Sequence, residues 1–529
     1  MTERHDGTNA SSAPDGLAAR VMAIAPLPRL SHEEHRAASE CIQSLVAEVQ
    51  HDTGPPLGFE TLCALAAHLR AVGDPSAAET IALHSHRVFL EDGRPISAVT
   101  MLNAAGLACF DQGAFQDAER LFCQALELIP ASDPLSQTPV ILLNRAAVLT
   151  ETGQYGEALK IYGEIMNLVQ KRPRAVFAEM DSFLPQEVRG LLTNNAGWVL
   201  LRMARATGND KPVLQRATAA IEEALSLPLH ARTRVIALGN RAEVCVRLGD
   251  HRKAERILAP LETECMRAGQ EQLLPEIYRR WAQVYASRGE TAAAVQWARK
   301  AMQSSLLVAN PRQELRIVEV FVDILRDLVS KAPDPHHALE STGEPVVMQV
   351  LELLQSKDTY TGGDHSLRVS ALAGRIAVRV LGNGEPRVRR VKRVELDGLF
   401  HDFGKLLVPW CILNKVSPLS DRDWSILRSH TTRGEELLDG LGLRTLARVA
   451  GGHHERPDGT GYPRGLKQTT KEESIVAVAD AFEAMTSPSR LYSRPKTISE
   501  GLAEVQRGSG TQFQPMVVEA LDEVFRARA

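Results

Sequence analysis

From about residue 60 to residue 330 the apolar positions fall at helical spacing, and a regular series of glycines punctuates them. Gly73, Gly113, Gly153, Gly208, Gly249 and Gly289 follow one another at steps of 40, 40, 55, 41 and 40 residues. An apolar, alanine-containing helix is predicted before the glycine, as in LNAAGLACFDQG and LLNRAAVLTETG. A second helix is predicted after it, as in FQDAERLFCQALELIP and YGEALKIYGEIMNLV. Asn103, Asn144, Asn195 and Asn240 stand in the first helix of four units, and Ala118, Ala158, Ala254 and Ala294 stand five residues after their glycines. Small side chains there let paired helices approach closely, and glycine takes the left-handed backbone that ends a helix at little cost. The 55-residue step predicts an inserted loop near Lys171–Pro185. Trp281, Tyr285 and Trp297 read as repeat core rather than as ligand anchors.

These units resemble tetratricopeptide repeats, with a period near 40 instead of about 34 residues. The resemblance implies a helical solenoid over residues 31–331 whose concave face takes a protein partner or mediates self-association. Ser31, with Glu34 three residues on, is the expected first N-cap, and residues 1–30 are expected to be a loose tail. Residues 332–360 read as a linker and a connecting helix. The prolines of APDPHHA interrupt the helical pattern, and the adjacent His336 and His337 lack any other ligand type nearby. EPVVMQVLELLQSKD then sets Val347, Val350, Leu351 and Leu354 on one face, suited to carry signals from the repeats onward.

Beyond residue 360 the helical pattern carries chemistry. His365 shares the apolar face of Val369, Leu372, Ile376 and Val380. A second helix, RVRRVKRVELDGLFHDFGK, is predicted to run through His401 and Asp402 and to close near Gly404. The segment PLSDRDWSILRSHTTRGEELL starts with Ser420 and Asp423 at capping-box spacing and carries His430 on its inward side. His453 and His454 follow a helix that ends at glycines, and Asp480 sits in the helix IVAVADAFEAM. Imidazole and carboxylate without nearby cysteine suit iron or manganese, and exclude a cysteine-rich structural zinc site. The basic run Arg387, Arg389, Arg390, Lys392 and Arg393 reads as a solvated face.

HDFGK followed by HHERPDGTGYP, with the later VADAF, resembles the HD-GYP domain, the cyclic di-GMP phosphodiesterase branch of the HD metal-dependent phosphohydrolases. The resemblance covers residues 361–529 and implies an all-α bundle behind the solenoid. It implies that His365, His401, Asp402 and Asp480 hold one divalent ion and that His430, His453 and His454 hold a second. A carboxylate has two oxygens and can serve two cations, whereas an imidazole ligates through one nitrogen, so Asp402 is the expected bridge. Thr361 stands where some relatives carry a glutamate for a third metal, so two ions are expected. Lys405 would stabilise charge on a phosphoryl oxygen. Asp458, Gly459, Gly461, Tyr462 and Pro463 would shape the nucleotide pocket, with Arg490 and Arg494 gripping substrate. Ser474 and Glu483 depart from the family pattern, as does the displacement of the last basic residue to Arg494. The implied reaction opens cyclic di-GMP to pGpG or GMP. The alternatives are another cyclic dinucleotide such as cyclic GMP-AMP, or a scaffold that binds nucleotide or a GGDEF-type partner without turnover.

Composition narrows this little further. The 529 residues are too many for one core, and 44% hydrophobic with 24% charged residues is a folded composition. A net charge of −4 does not point to nucleic acid. Seven scattered cysteines and no apolar run of membrane-spanning length lead to the expectation of a reducing cytoplasm.

Overall fold

The computed structural model describes residues 16–51, 53, 57–129, 137–171, 185–307, 311–331, 339, 344–358, 364–381, 385–415, 418–487 and 494–526. Thr361, His336, His337, Arg490, most of the expected inserted loop and the side chains of Val347 and Val350 lie outside them. Every named element among the described residues is a helix, so the fold is all-α. None of these helices is long and apolar enough to cross a membrane. The helices group into two compact units, Met1–Val148 and Leu149–Ala529.

In the first unit the glycine punctuation has a direct backbone cause. Gly73 and Gly113 adopt φ values of 100° and 73° between the paired helices Phe59–Val72 with Pro75–Glu91, and Pro95–Asp111 with Phe115–Glu127. The amide after each glycine donates back to the carbonyl five residues earlier, Asp74 to Leu69 at 2.8 Å and Ala114 to Cys109 at 3.0 Å. That bond satisfies a carbonyl the helix end would otherwise leave open. Ala118 is fully buried where its helix crosses its partner, with Phe110, Leu121 and Phe122 in the same core. The Ser31–Glu34 cap forms as expected, with Ser31 N donating to Glu34 at 2.8 Å. The tail is shorter than expected. Leu17–Met22 is a helix whose Ala18 and Val21 are buried with Ile42, Leu45 and Leu65, because its two apolar side chains lie one turn from each other on the inward face.

The second unit continues the same arithmetic. Asn209, Asp250 and Glu290 close their turns with the same backward bond at 2.6, 2.9 and 3.0 Å. A polar ladder runs inside these repeats, with Asn240 donating to Asn194 at 3.1 Å and Arg280 donating to Asn240 at 3.0 Å. Asn195 stands in the helix Pro185–Ala206, and its neighbour Asn194 is the buried member, since adjacent helical residues point about 100° apart. Trp281 and Trp297 stack with centroids 5.6 Å apart, and Trp281 packs on the core of Ile277 and Val284. The last repeat helix, Pro311–Ser330, and the connecting helix, Glu344–Lys357, both pack against the short turn that follows His401 and Asp402. Beyond them, His365–Val380, Glu385–Phe400, Lys471–Thr486, Ile498–Arg507 and Pro515–Arg526 share one core built on Val369, Ile376, Val394, Ile475, Phe482 and Leu521.

Candidate metal centre

The helix carrying His365 begins at that residue, and its inward face is Val369, Leu372, Ile376 and Val380, all buried. The next helix, Glu385–Phe400, ends sooner than the pattern predicted. His401 and Asp402 form a turn, and Asp402 (φ −94°, ψ 11°) opens a 3₁₀ turn over Phe403–Leu407. Packing explains the tightening. A Cβ on Gly404 would lie 1.9 Å from the His430 carbonyl oxygen, so only glycine lets the two backbones meet. The tighter turn swings Lys405 back until its Nζ lies 2.7 Å from Asp402 Oδ2. The expected single helix after Ser420 is divided into Asp421–Arg428 and His430–Gly440, while the Ser420–Asp423 capping box forms. His453 and His454 follow the helix Arg444–Gly452. Asp480 projects from Lys471–Thr486, whose start is closed by a Thr470–Glu473 capping box.

Two clusters result. His365, His401 and Asp402 offer ligand atoms within 4.8 Å of one another, and so do His430, His453 and His454. Asp402 lies between them. Its Oδ2 is 3.2 Å from His401 Nε2 and 3.7 Å from His365 Nε2. Its Oδ1 is 3.5 Å from His430 Nε2 and 3.9 Å from His453 Nε2. Asp480 joins the first cluster, with Oδ1 3.3 Å from His365 Nε2 and 3.8 Å from His401 Nε2.

The other ring nitrogen of four of the imidazoles is committed. Nδ1 of His401 meets the Gly398 carbonyl at 2.8 Å, His430 that of Leu427 at 2.7 Å, and His453 that of Ala450 at 2.9 Å. His365 Nδ1 meets Glu483 at 2.5 Å. A carbonyl can only accept, so the proton is placed on Nδ1 and the lone pair on Nε2. Nε2 of His401, His430 and His453 has no hydrogen-bond partner among the described residues, although each is buried. Buried orphan lone pairs converging beside carboxylates are what a cation would satisfy.

At His430, His453 and His454 electrostatics agree with lone pairs left free for a cation. Burial depresses His430, takes His453 far below its usual range and brings His454 to about 3, so these rings stay neutral. Burial alone would also depress His365, but the carboxylates of Asp480 and Glu483 push it up to about 9. Burial would raise Asp402, yet Lys405, His401 and His430 hold it well below the carboxylate range. Lys405 is held charged against burial by Asp358 at 2.9 Å and by Asp402.

The loop after His454 is tied by Glu455, which accepts from the amides of Arg464 and Leu466, both at 2.7 Å. Tyr462 stacks on His454 with ring centroids 4.6 Å apart and returns its amide to the His454 carbonyl at 3.2 Å. Asp458 is exposed and closes its own turn, accepting from Thr460 N at 2.8 Å and from Thr460 Oγ1 at 2.7 Å. Gly459 (φ 82°) permits that turn, and Gly461 lies where a Cβ would be 2.5 Å from Arg456 N. Pro463 and Arg494 are exposed. A cavity of about 460 Å³ beside the histidines is lined by Arg428, Arg456, Tyr462, Asp480 and Gln512. The Arg428 guanidinium sits 5.3 Å from the Tyr462 ring centroid. Sequence reasoning missed Arg428, Arg456, Glu455 and Asp358. Arg456 and Glu455 lie inside the HHERPDGTGYP stretch, but isolated charged residues such as Asp358 and Arg428 give no periodic signal. A larger cavity, about 930 Å³, opens beside Glu435, Arg444 and Arg464 and is lined by none of the metal-ligand candidates.

Residues 349–517 match the HD domain family, and residues 235–260 match the tetratricopeptide repeat. The chain is 39% identical over 185 residues to a cyclic di-GMP phosphodiesterase of Thermotoga maritima, covering 34% of this chain and 49% of that protein. It is 34% identical over 183 residues to the 3'3'-cGAMP-specific phosphodiesterase 3 of Vibrio cholerae, covering 34% of this chain and 38% of the relative. It is 38% identical over 159 residues to the cyclic di-GMP phosphodiesterase response regulator RpfG of Xanthomonas campestris, covering 29% and 41%. The chain thus spans half or less of the length of these relatives.

Proposed function

We propose that the HD domain of this chain is a metal-dependent phosphodiesterase that opens cyclic di-GMP to pGpG or GMP. One observation carries the reading. The two oxygens of Asp402 are divided between two groups of buried histidines, with Oδ2 toward His365 and His401 and Oδ1 toward His430 and His453. That donor set fits two divalent ions, and its imidazole and carboxylate character fits iron or manganese. Such ions, when bound, acidify water and neutralise charge gathering on phosphoryl oxygens.

The residues of the chain do the rest. Lys405 is held charged beside Asp402 and would donate to a non-bridging phosphoryl oxygen as charge develops there. Arg428 and Arg456 line the adjoining cavity and would position the second phosphate. Tyr462, stacked on His454, offers an aromatic edge to a base. Arg490 and Arg494 would help to grip substrate. The repeats would dock a regulatory protein, a GGDEF-type protein among the candidates, in the cytoplasm.

A second substrate is favoured by one observation, the 34% identity to a cGAMP-specific phosphodiesterase. Anaerobic purification with metal quantification, followed by chromatography of products from cyclic di-GMP and cyclic GMP-AMP in competition, tests both readings. Linear product from cyclic di-GMP is the expected result. Nucleotide binding without hydrolysis by the iron- or manganese-loaded protein would sink the enzyme and leave the scaffold.

A further inference from the structure

Glu314 lies in the first turn of the last repeat helix and is 1% exposed. It faces Lys357, the final residue of the connecting helix, which is fully buried, with Nζ 3.0 Å from Glu314 Oε2. Lys357 Nζ also donates to the Leu406 carbonyl at 2.7 Å, and its own carbonyl accepts from Asn414 at 2.8 Å. The next residue, Asp358, accepts from Lys405 at 2.9 Å, and Lys405 reaches Asp402. An unbroken run of buried polar contacts therefore leads from the repeats to the metal centre. A buried lysine and a buried glutamate are costly apart, so each fixes the other's position. Lys357 and Asp358 are adjacent, so a displaced Lys357 carries Asp358 with it. The bond to Leu406 also ties Lys357 directly to the 3₁₀ turn on which Lys405 stands.

We propose that Glu314 and Lys357 are positioning residues for Lys405, so that the last repeat helix is part of the hydrolytic site. A partner that moves this helix then changes turnover without touching a metal ligand. The inference rests on the proposed phosphodiesterase reading, and the test separates the two. The full-length, metal-loaded chain is assayed on cyclic di-GMP as wild type, Glu314→Gln, Lys405→Ala, the double variant and Glu352→Gln. Misplacing a catalytic group by an ångström costs on the order of 100-fold. Glu314→Gln is therefore expected to lower kcat at least about tenfold, with KM and metal content unchanged. In the Lys405→Ala background it should add nothing, because both changes act through one ammonium group. Glu352 forms an exposed pair with Arg299 elsewhere on the connecting helix, and Glu352→Gln should leave kcat unchanged. Wild-type protein without turnover would defeat the phosphodiesterase reading itself. An active wild type with kcat kept in Glu314→Gln would overturn the positioning role. So would an equal further loss in the Lys405→Ala background, or a kcat loss that follows metal content.

Discussion

Asp402 concentrates the argument at the scale of single residues. Among the described residues it is the one carboxylate whose two oxygens address different histidine groups. Asp402→Ala should lose bound metal and lower turnover by more than about 100-fold, read by elemental analysis beside product chromatography. Full metal content with unaltered turnover would refute the bridge. Asp397 tests a different consequence of burial. It is 1% exposed, neither carboxyl oxygen has a hydrogen-bond partner among the described residues, and burial raises it well above its ordinary value, with Glu472 adding to the effect. The folded protein therefore binds a proton here that the unfolded chain releases. Its stability falls as pH rises through the unfolded carboxyl value, near 4, toward the folded one. Asp397→Asn should flatten that decline and raise the melting temperature at pH 7. An unchanged pH profile of thermal unfolding would count against the assignment.

Elements position these residues by how they begin and end. The Asp480 helix is closed by the Thr470–Glu473 box, so Thr470→Ala should cost about 1 kcal/mol in denaturant unfolding while metal content holds. The turn after Asp402 is less forgiving. Gly404→Ala drives a Cβ into the His430 carbonyl, separating the two segments that carry the two histidine groups. Its expected cost is about 3 kcal/mol, with metal lost in parallel, and a variant that keeps both stability and metal would show the contact to be compliant. The spacing of apolar residues disclosed these helices and their inward faces. It did not disclose that the HD pair stands beyond a helix end, because a 3₁₀ turn of five residues is too short to show a period.

At the scale of the molecule, the repeats and the bundle that matches the HD domain family share a packed boundary within one compact unit, Leu149–Ala529. Removing residues 1–137 should leave that unit's contacts and its turnover in place. Removing residues 1–330 takes away Glu314 and uncovers Lys357, so turnover should fall at least about tenfold. Comparing kcat and melting temperature of the two truncations checks this. Equal activity would mean that the repeats serve only to dock partners.

The chain by itself determined its periods and its chemistry. Glycines some 40 residues apart specify helix pairs, since only a left-handed residue ends a helix so tightly, and histidines on apolar helix faces announce a buried polar site. Those signals are local, and local rules suffice to read them. Which nitrogen of each ring is free, which oxygen of Asp402 meets which histidine, and that Glu314 lies within a few ångströms of Lys357 were decided only on folding. These relations join residues dozens of positions apart, and packing sets their distances, not spacing along the chain.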